Sequence, residues 1–215
     1  MTATRPTPAM LRGRFVQLEP FDPALHLDGL WESLAHPAVF AGGYGGGPAG
    51  LPPDRAAFDV WASGYGVADD ALRLVVRLLG GDHDGRVVGA STLGDLDEAR
   101  EHAHIGWTGY DPRVWATQVN PETKLLMLGL AFEHGYGRVK LQADERNDRS
   151  RGAILKLGAR YEGIVRRDIQ RADGSWRGTA VYSVLADEWP DVRAGLEARL
   201  AVWGGQPVAL AATAG

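Results

Sequence analysis

The part of the sequence best suited to chemistry is residues 106–128, where a predicted strand turns into a predicted helix. Three consecutive residues have the types expected at a helix start. Asn120 suits the N-cap, Pro121 suits the first helical position, and Glu122 lies near the positive end of the helix dipole. We therefore expect a well-capped helix that follows directly on the turn.

The same turn is predicted to bind an anion. The first-turn amides of the helix, together with the loop amides of residues 115–119, form a concave set of donors at the positive end of the dipole, and a pyrophosphate would suit them. Arg113 adds a full positive charge, and Lys124 is a second candidate cation. An ordinary strand–helix turn without a ligand is the alternative interpretation.

Two other spacings match chemical motifs as strings but fail on context. Residues 45–50 spell G-x-G-x-x-G, yet no convincing strand precedes them and Pro48 interrupts them, so we interpret them as a loop. His102 and His104 have metal-ligand spacing on one strand face, but no third ligand is near them in the sequence. We therefore expect no metal site.

Composition excludes several classes of function. The 215 residues contain 23 Lys and Arg against 27 Asp and Glu, so the formal charge of −4 gives no general attraction to nucleic acid or to an anionic membrane. There is no cysteine, hence no disulfide framework, thiol nucleophile or cysteine-ligated metal. No apolar run is long enough for a membrane helix, and the start lacks the apolar core of a secretion signal. We expect a soluble, cytoplasmic protein without nucleic-acid or membrane partners.

Hydrophobic periodicity predicts an α/β (α+β) fold with a mostly antiparallel sheet and helices packed on it. The predicted strands are 14–19, 71–79, 86–93, 102–110, 138–143, 160–171 and 176–185, and the predicted helices are 24–34, 53–63, 120–134, 148–157 and 188–202. We expect one domain at 11–203, between a loose N-terminal tail at 1–10 and a loose C-terminal tail at 204–215.

Three blocks of residues follow one another in order along the chain. The first block reads Ile-Gly-Trp-Thr at 105–108, Trp-Ala-Thr at 115–117, Val-Asn-Pro-Glu-Thr-Lys at 119–124 and Ala-Phe-Glu at 131–133. The second comprises Asn147, Ser150, Ile154, Lys-Leu-Gly-Ala at 156–159, Glu162, Gly163 and Arg166. The third comprises Tyr-Ser at 182–183, Leu185 and Glu-Trp-Pro at 188–190. Together these blocks resemble the GNAT family of acetyl-CoA-dependent N-acetyltransferases, in the branch of RimJ and RimL, which acetylate ribosomal-protein N termini. The likeness runs from Leu11 to about Leu200, and it is much less specific about substrate than about family.

The resemblance implies the acyl-CoA N-acyltransferase fold, with splayed central strands and flanking helices, and acetyl-CoA as cosubstrate without a metal. The implied pyrophosphate loop is Arg113, Trp115, Ala116, Thr117, Gln118, Val119 and Asn120, and the implied pantetheine contacts are backbone groups of Trp107, Thr108 and Gly109. Asn147 and Ser150 match positions that line the cofactor in relatives. Helix capping is an equally weighted interpretation of those two residues.

The reaction implied is direct attack of a primary amine on the thioester. His104 is the candidate base, at a position where relatives often carry a glutamate, and Glu101 is the second choice. Phe40 and Tyr44 are the candidate walls of the acceptor site. The acceptor is expected to be a peptide N terminus or a small-molecule amine. A non-catalytic acyl-CoA-binding module and a protein-interaction domain are the alternatives, and a homodimer is a family-level expectation.

Two positions depart from the family pattern. The pyrophosphate signature R/Q-x-x-G-x-G/A becomes Arg113-x-x-Ala116-x-Gln118, and alanine gives up the easy access to positive φ that glycine has. Alanine is therefore expected to forfeit positive φ there, and binding survives if the loop takes negative φ at Ala116. The tyrosine that many relatives use as general acid falls near Ile154, so solvent, Ser150 or another group must protonate the leaving thiolate.

Overall fold

One eight-stranded mixed sheet organises the chain, in the order β1-β2-β3-β4-β5-β6-β8-β7. The computed structural model describes residues 2–67 and 71–212. The strands are β1 Leu11–Arg12, β2 Val16–Pro20, β3 Leu72–Leu78, β4 Val87–Asp97, β5 His102–Tyr110, β6 Arg138–Asp144, β7 Arg160–Gln170 and β8 Trp176–Leu185. Every neighbouring pair is antiparallel except β5 with β6, which is parallel. The α/β class and the mostly antiparallel sheet are confirmed.

Helices cover both faces of the sheet. In the described ranges they are α1 Pro23–Leu34, α2 Pro37–Ala41, α3 Arg55–Gly64, α4 Val119–Glu133, α5 Asp148–Leu155 and α6 Trp189–Ala201. Helices α1, α2 and α3 pack over Val75 and Ala90 on one face. Helices α4, α5 and α6 pack on the other, over a larger core that includes Leu74 and Val88. Alternation along β3 and β4 explains the division, because successive strand residues point to opposite faces.

The start of α4 differs from the sequence prediction. The helix begins at Val119, with Gln118 at the N-cap position and no side-chain cap bond. Asn120 therefore lies inside the first turn, and its predicted role as N-cap is wrong. The Thr117 hydroxyl takes over part of the capping role, since it accepts a hydrogen bond from the Val119 N–H at 3.3 Å.

Glu122 explains why β2 begins later than predicted. Its buried carboxylate accepts three backbone N–H bonds, from Arg14 at 2.8 Å, Phe15 at 2.6 Å and Val16 at 2.7 Å. These amides are thereby satisfied outside the sheet ladder, so the regular strand starts at Val16 rather than at residue 14. The carboxylate fastens α4 to the opening of β2.

Residues 42–50, called the glycine loop below, contain two short 3₁₀ turns at Tyr44–Gly46 and Pro48–Gly50. The short helix α2 just before them was not predicted. The loop is fastened at its start and at its middle: the Asn147 side-chain amide donates to the Gly42 carbonyl, and the Ala172 N–H donates to the Gly46 carbonyl at 3.0 Å.

The tail segments carry tertiary contacts, in contrast to the expectation that they are loose. In the N-terminal tail, Ala3 is buried and the Thr4 N–H donates to the His134 carbonyl at 2.9 Å. In the C-terminal tail, Val208 is buried and the Ala211 N–H donates to the Arg113 carbonyl at 2.9 Å. Apolar side chains in both tails cover the edge of the core, which periodicity does not reveal. Met1 and residues 213–215 lie outside the described residues.

Candidate active site

A wedge opens in the middle of the sheet, between β5 and β6. These strands pair only over residues 102–104 and 138–140. Beyond that point β5 stays paired with β4 and β6 stays paired with β8, so the two strands part. The gap between residues 106–110 and 141–144 is called the wedge below. It matches the splayed central strands that the resemblance implied.

A bulge shapes the β5 side of the wedge. The register with β4 shifts between Ala90 and Thr92, so that Trp107 and Thr108 together oppose Ser91. Trp107 has a positive φ of 48°, which a bulky side chain rarely adopts. The bulge interrupts the β4–β5 ladder and changes the direction of the backbone beside the wedge.

The loop between β5 and α4 has the conformation that a glycine would favour. Ala116 has a φ of +61°, so the expectation of negative φ is wrong. The loop is held on both sides of this residue: the Trp115 indole donates to the Tyr110 carbonyl at 3.2 Å, and the Thr117 hydroxyl donates to the Val114 carbonyl at 2.6 Å. Bonds within the loop, together with the packing of Arg149 on Trp115, therefore hold a positive φ that the residue type disfavours.

At the start of α4, the last two loop residues can bind an anion only through their backbone. The side chains of Gln118 and Val119 are buried, and the Gln118 amide donates to the Gln206 carbonyl at 3.1 Å. The first-turn N–H groups of α4 are left at the open end of the helix. This arrangement is that of a helix N-terminal anion site.

The positive charge near this site does not come from the expected side chains. The Arg113 guanidinium pairs with Asp111, with Nη2 at 2.5 Å from Oδ2, and this carboxylate raises the pKa of Arg113. Lys124 is turned into the interior. Arg149 instead lies over the Trp115 ring, with its guanidinium carbon 3.4 Å from the ring centroid. Partial desolvation lowers the pKa of Arg149. Its contact with Trp115 brings a cation to residues 115–119, called the anion loop below.

Lys124 lies under the β5 bulge. Its ammonium donates to the Ser91 hydroxyl at 2.9 Å and to the Thr108 hydroxyl at 2.7 Å. The side chain is buried, and desolvation lowers the pKa of Lys124 to about 7. It cannot act as a surface cation for an anion bound at the loop.

Asn147 has the helix-capping role that the sequence left open for it, and its cofactor-lining role stays a prediction. Its Oδ1 accepts from the Ser150 N–H at 3.0 Å and so caps α5, while its Nδ2 donates to the Gly42 carbonyl. An open cleft of about 570 Å³ lies beside these residues, between the glycine loop, the start of α5 and the β7–β8 turn. Asn147 and Ser150 are therefore near the wedge, and Asn147 also holds the glycine loop against it.

His104 is the last β5 residue that pairs with β6 before the wedge. Its Nδ1 is 2.9 Å from Asp95 Oδ2, and Lys140 Nζ is 3.1 Å from the same oxygen. The other ring nitrogen, Nε2, is buried without a hydrogen-bond partner among the described residues, and the ring packs 4.9 Å from the Trp107 ring. Because Asp95 accepts from Nδ1–H, Nε2 is left as the proton acceptor. Burial lowers the pKa of His104, and Asp95 partly opposes this.

Glu101 lies at the other end of β5. It belongs to the turn that precedes the strand, with φ +57°, and its carboxylate faces Gly137. Trp107 lies six positions further along the chain, a length of about 20 Å in an extended strand. The structure does not bring Glu101 to the wedge.

Phe40 and Tyr44 form part of an aromatic cluster beside the bulge. The Tyr44 ring lies 5.6 Å from Phe40, 5.7 Å from Trp61 and 5.0 Å from Tyr65. A Cβ on Gly109 would be 2.7 Å from the Tyr44 ring, so only glycine allows this approach. The Tyr44 hydroxyl is buried, which raises the pKa of Tyr44, and the ring forms a wall against β5.

Three contributions to the site were missed from sequence. Asp95 carries no local signal, since its importance depends on the β4–β5 pairing. Arg149 could have been noticed in the arginine-rich stretch at 146–151, although its contact with Trp115 depends on the fold. Lys124 was predicted as a cation for the anion, whereas the structure buries it under the β5 bulge.

In the part of the chain that is described, no group of three or more His, Cys, Asp or Glu side chains could hold a metal ion. None of the described helices is both long and apolar enough to cross a membrane.

Comparison with known proteins adds independent evidence. Residues 16–160 match the family described as Acetyltransferase (GNAT) domain. A GCN5-related N-acetyltransferase from Brucella melitensis is 28% identical with a TM-score of 0.84, covering 97% of this chain and 95% of its own. A solved structure from T. thermophilus is 32% identical with a TM-score of 0.79, covering 91% and 98%. Mycobacterium smegmatis RimJ, in complex with CoA-disulfide, shares the fold at 21% identity and a TM-score of 0.69, covering 89% and 95%. No curated protein matches this chain in sequence.

Proposed function

Because the chain belongs to the GNAT family of acetyltransferases, we propose that it transfers the acetyl group of acetyl-CoA to the α-amine of a protein N terminus. The likeness of its sequence blocks to the RimJ and RimL branch supports this acceptor, and M. smegmatis RimJ shares its fold. A small-molecule amine is the competing acceptor, and it is an outcome of the test below.

The residues around the wedge fit acetyl-CoA. The αL conformation at Ala116 and the open N-terminus of α4 suit a pyrophosphate, and Arg149 adds a nearby cation. The parted strands leave backbone groups of Trp107, Thr108 and Gly109 without a β6 partner. These groups would hold the pantetheine amides. Bound acetyl-CoA supplies an acetyl group activated as a thioester.

His104 is the proposed general base. Attack forms a bond between the amine nitrogen and the acetyl carbon and breaks the bond from that carbon to sulfur. The amine proton passes to His104 Nε2, directly or through one water, and the thiolate takes a proton from solvent or from Ser150. Asp95 holds the imidazole in the tautomer that leaves Nε2 free. The lowered pKa keeps His104 neutral, and therefore able to accept a proton, at physiological pH.

The observation that carries this proposal is the parting of β5 and β6 directly beyond His104, whose buried Nε2 has no hydrogen-bond partner in the described structure. Calorimetry tests whether the protein binds acetyl-CoA, and we expect binding at micromolar strength. Absence of heat at millimolar acetyl-CoA would refute it.

Release of the CoA thiol in the presence of an amine tests whether the protein transfers the acetyl group. Peptides that begin with Ser or Ala are compared with a panel of small amines, and we expect turnover with the peptides. His104→Ala should lower kcat by about a hundredfold or more, whereas His83→Ala, in the distant β3–β4 turn, should not change it. Turnover with small amines alone would replace the proposed acceptor class, and unchanged turnover in His104→Ala would remove the base assignment.

A further inference from the structure

Lys124 is buried without the partner that a buried ammonium normally has. Lys124 is only 5% exposed, and both hydrogen-bond partners of its ammonium are neutral hydroxyls. Within residues 2–67 and 71–212, it forms no ion pair with a carboxylate. Burying a cation in this way opposes folding, so packing alone does not account for a lysine here.

The two hydroxyls that it binds lie where β4 and β5 lose register. Ser91 is the residue of β4 that faces the bulge, and Thr108 is part of the bulge. Their oxygens are 2.7 Å apart, and the Thr108 hydroxyl is 3.3 Å from the Gly106 carbonyl. The ammonium and the two hydroxyls form a closed triangle of hydrogen bonds that joins α4 to both strands at this point.

This triangle replaces the interstrand bonds that the bulge interrupts. A bulge leaves part of the ladder unpaired, and Trp107 holds an unfavourable positive φ beside it. The ammonium can donate to both hydroxyls at once. It belongs to α4, which the Glu122 carboxylate also fastens to the start of β2. A methionine of similar length would fill the same space but would give no hydrogen bond to either strand.

We propose that Lys124 is a positioning residue, which holds the β5 bulge so that the backbone of Trp107, Thr108 and Gly109 faces the wedge. The consequence for turnover rests on the proposed function, because it requires that the wedge receives acetyl-CoA. The consequence for the backbone of residues 107–109 does not rest on the proposed function. The lysine touches neither substrate, and it acts through the hydroxyls of Ser91 and Thr108.

The test compares Lys124→Met with the double variant Ser91→Ala/Thr108→Val, which removes both acceptors and keeps the amine. Lys156→Met makes the same chemical change at an exposed site and is the control. Amide hydrogen exchange of residues 107–109, followed by NMR, reports the bulge directly. We expect at least tenfold faster exchange in Lys124→Met and in the double variant, and no change in the control.

Activity gives the second readout. In Lys124→Met we expect kcat to fall at least tenfold and the acetyl-CoA Kd, measured by calorimetry, to rise, because the displaced backbone groups are those that would hold the pantetheine. Wild-type exchange at residues 107–109 in folded Lys124→Met would overturn the proposal. If Lys124→Met does not fold, wild-type exchange in the double variant would overturn it instead. If the wild-type protein releases no thiol with any amine, the proposed function fails, while the exchange data still decide the role of Lys124.

Discussion

Replacing Glu122 by glutamine should destabilise the protein by about 3–5 kcal/mol. The carboxylate accepts three backbone N–H bonds, with Oε2 serving Phe15 and Val16, and Oε1 serving Arg14. In Glu122→Gln the amide oxygen can keep the first two bonds, but as neutral bonds, each weaker by about 1 kcal/mol. The NH₂ group then faces the Arg14 N–H, donor against donor, which costs about 1–3 kcal/mol more because this donor loses its partner.

Thermal unfolding followed by circular dichroism measures the effect. For a chain of this length the loss corresponds to a fall in Tm of roughly 10 °C. Glu133→Gln, at an exposed position of the same helix, is the matched control and should change stability by less than about 0.5 kcal/mol. If Glu122→Gln were as stable as this control, the inference that the carboxylate fastens α4 to the start of β2 would be wrong.

Three further changes have expected outcomes. Ala116→Gly should stabilise the protein by up to about 1 kcal/mol, since relief of the positive φ exceeds the entropy cost of glycine; urea unfolding checks this, and a loss of stability would contradict the strain. Asp95→Asn should lower the kcat/KM plateau roughly tenfold or more and move its acidic limb to lower pH, because Asp95 raises the pKa of His104; a pH–rate profile unchanged from wild type would argue against the pair. Lys124→Met should raise stability by at most about 5 kcal/mol, most of all below pH 7. The pKa falls from 10.5 unfolded to about 7 folded, so the cost of the buried ammonium is complete below pH 7 and absent above about pH 10.5; an equal gain in Tm at pH 6 and pH 10 would contradict this.

Local sequence patterns predicted the elements well where one periodicity was unambiguous. The strand at 102–110 and the β7–β8 hairpin were found closely, because alternation and turn residues agree there. Errors arose where another group replaced the expected local signal. Asn120 looked like an N-cap because of the proline after it, yet the N-cap position lies two residues earlier, at Gln118, with a bond from the Val119 N–H to the Thr117 hydroxyl. The start of β2 was displaced by a carboxylate more than a hundred residues away.

The candidate site shows the same division. The anion loop, the histidine at the edge of the wedge and the family itself could be predicted, because they lie in contiguous blocks of sequence. The partners that give those residues their properties could not. Asp95 meets His104 only through the pairing of β4 with β5, and Arg149 meets Trp115 only because α5 packs beside the anion loop.

The amino-acid sequence by itself determined the order of elements, the family and the identity of the residues beside the wedge, since propensities, caps and motifs act over a few neighbouring positions. Only the tertiary structure decided their states: the positive φ of Ala116, the free nitrogen of His104 and the inward turn of Lys124. Each of these depends on burial and on contacts between segments far apart in the chain. Such contacts set the local dielectric and the available hydrogen-bond partners, which no short stretch of sequence specifies.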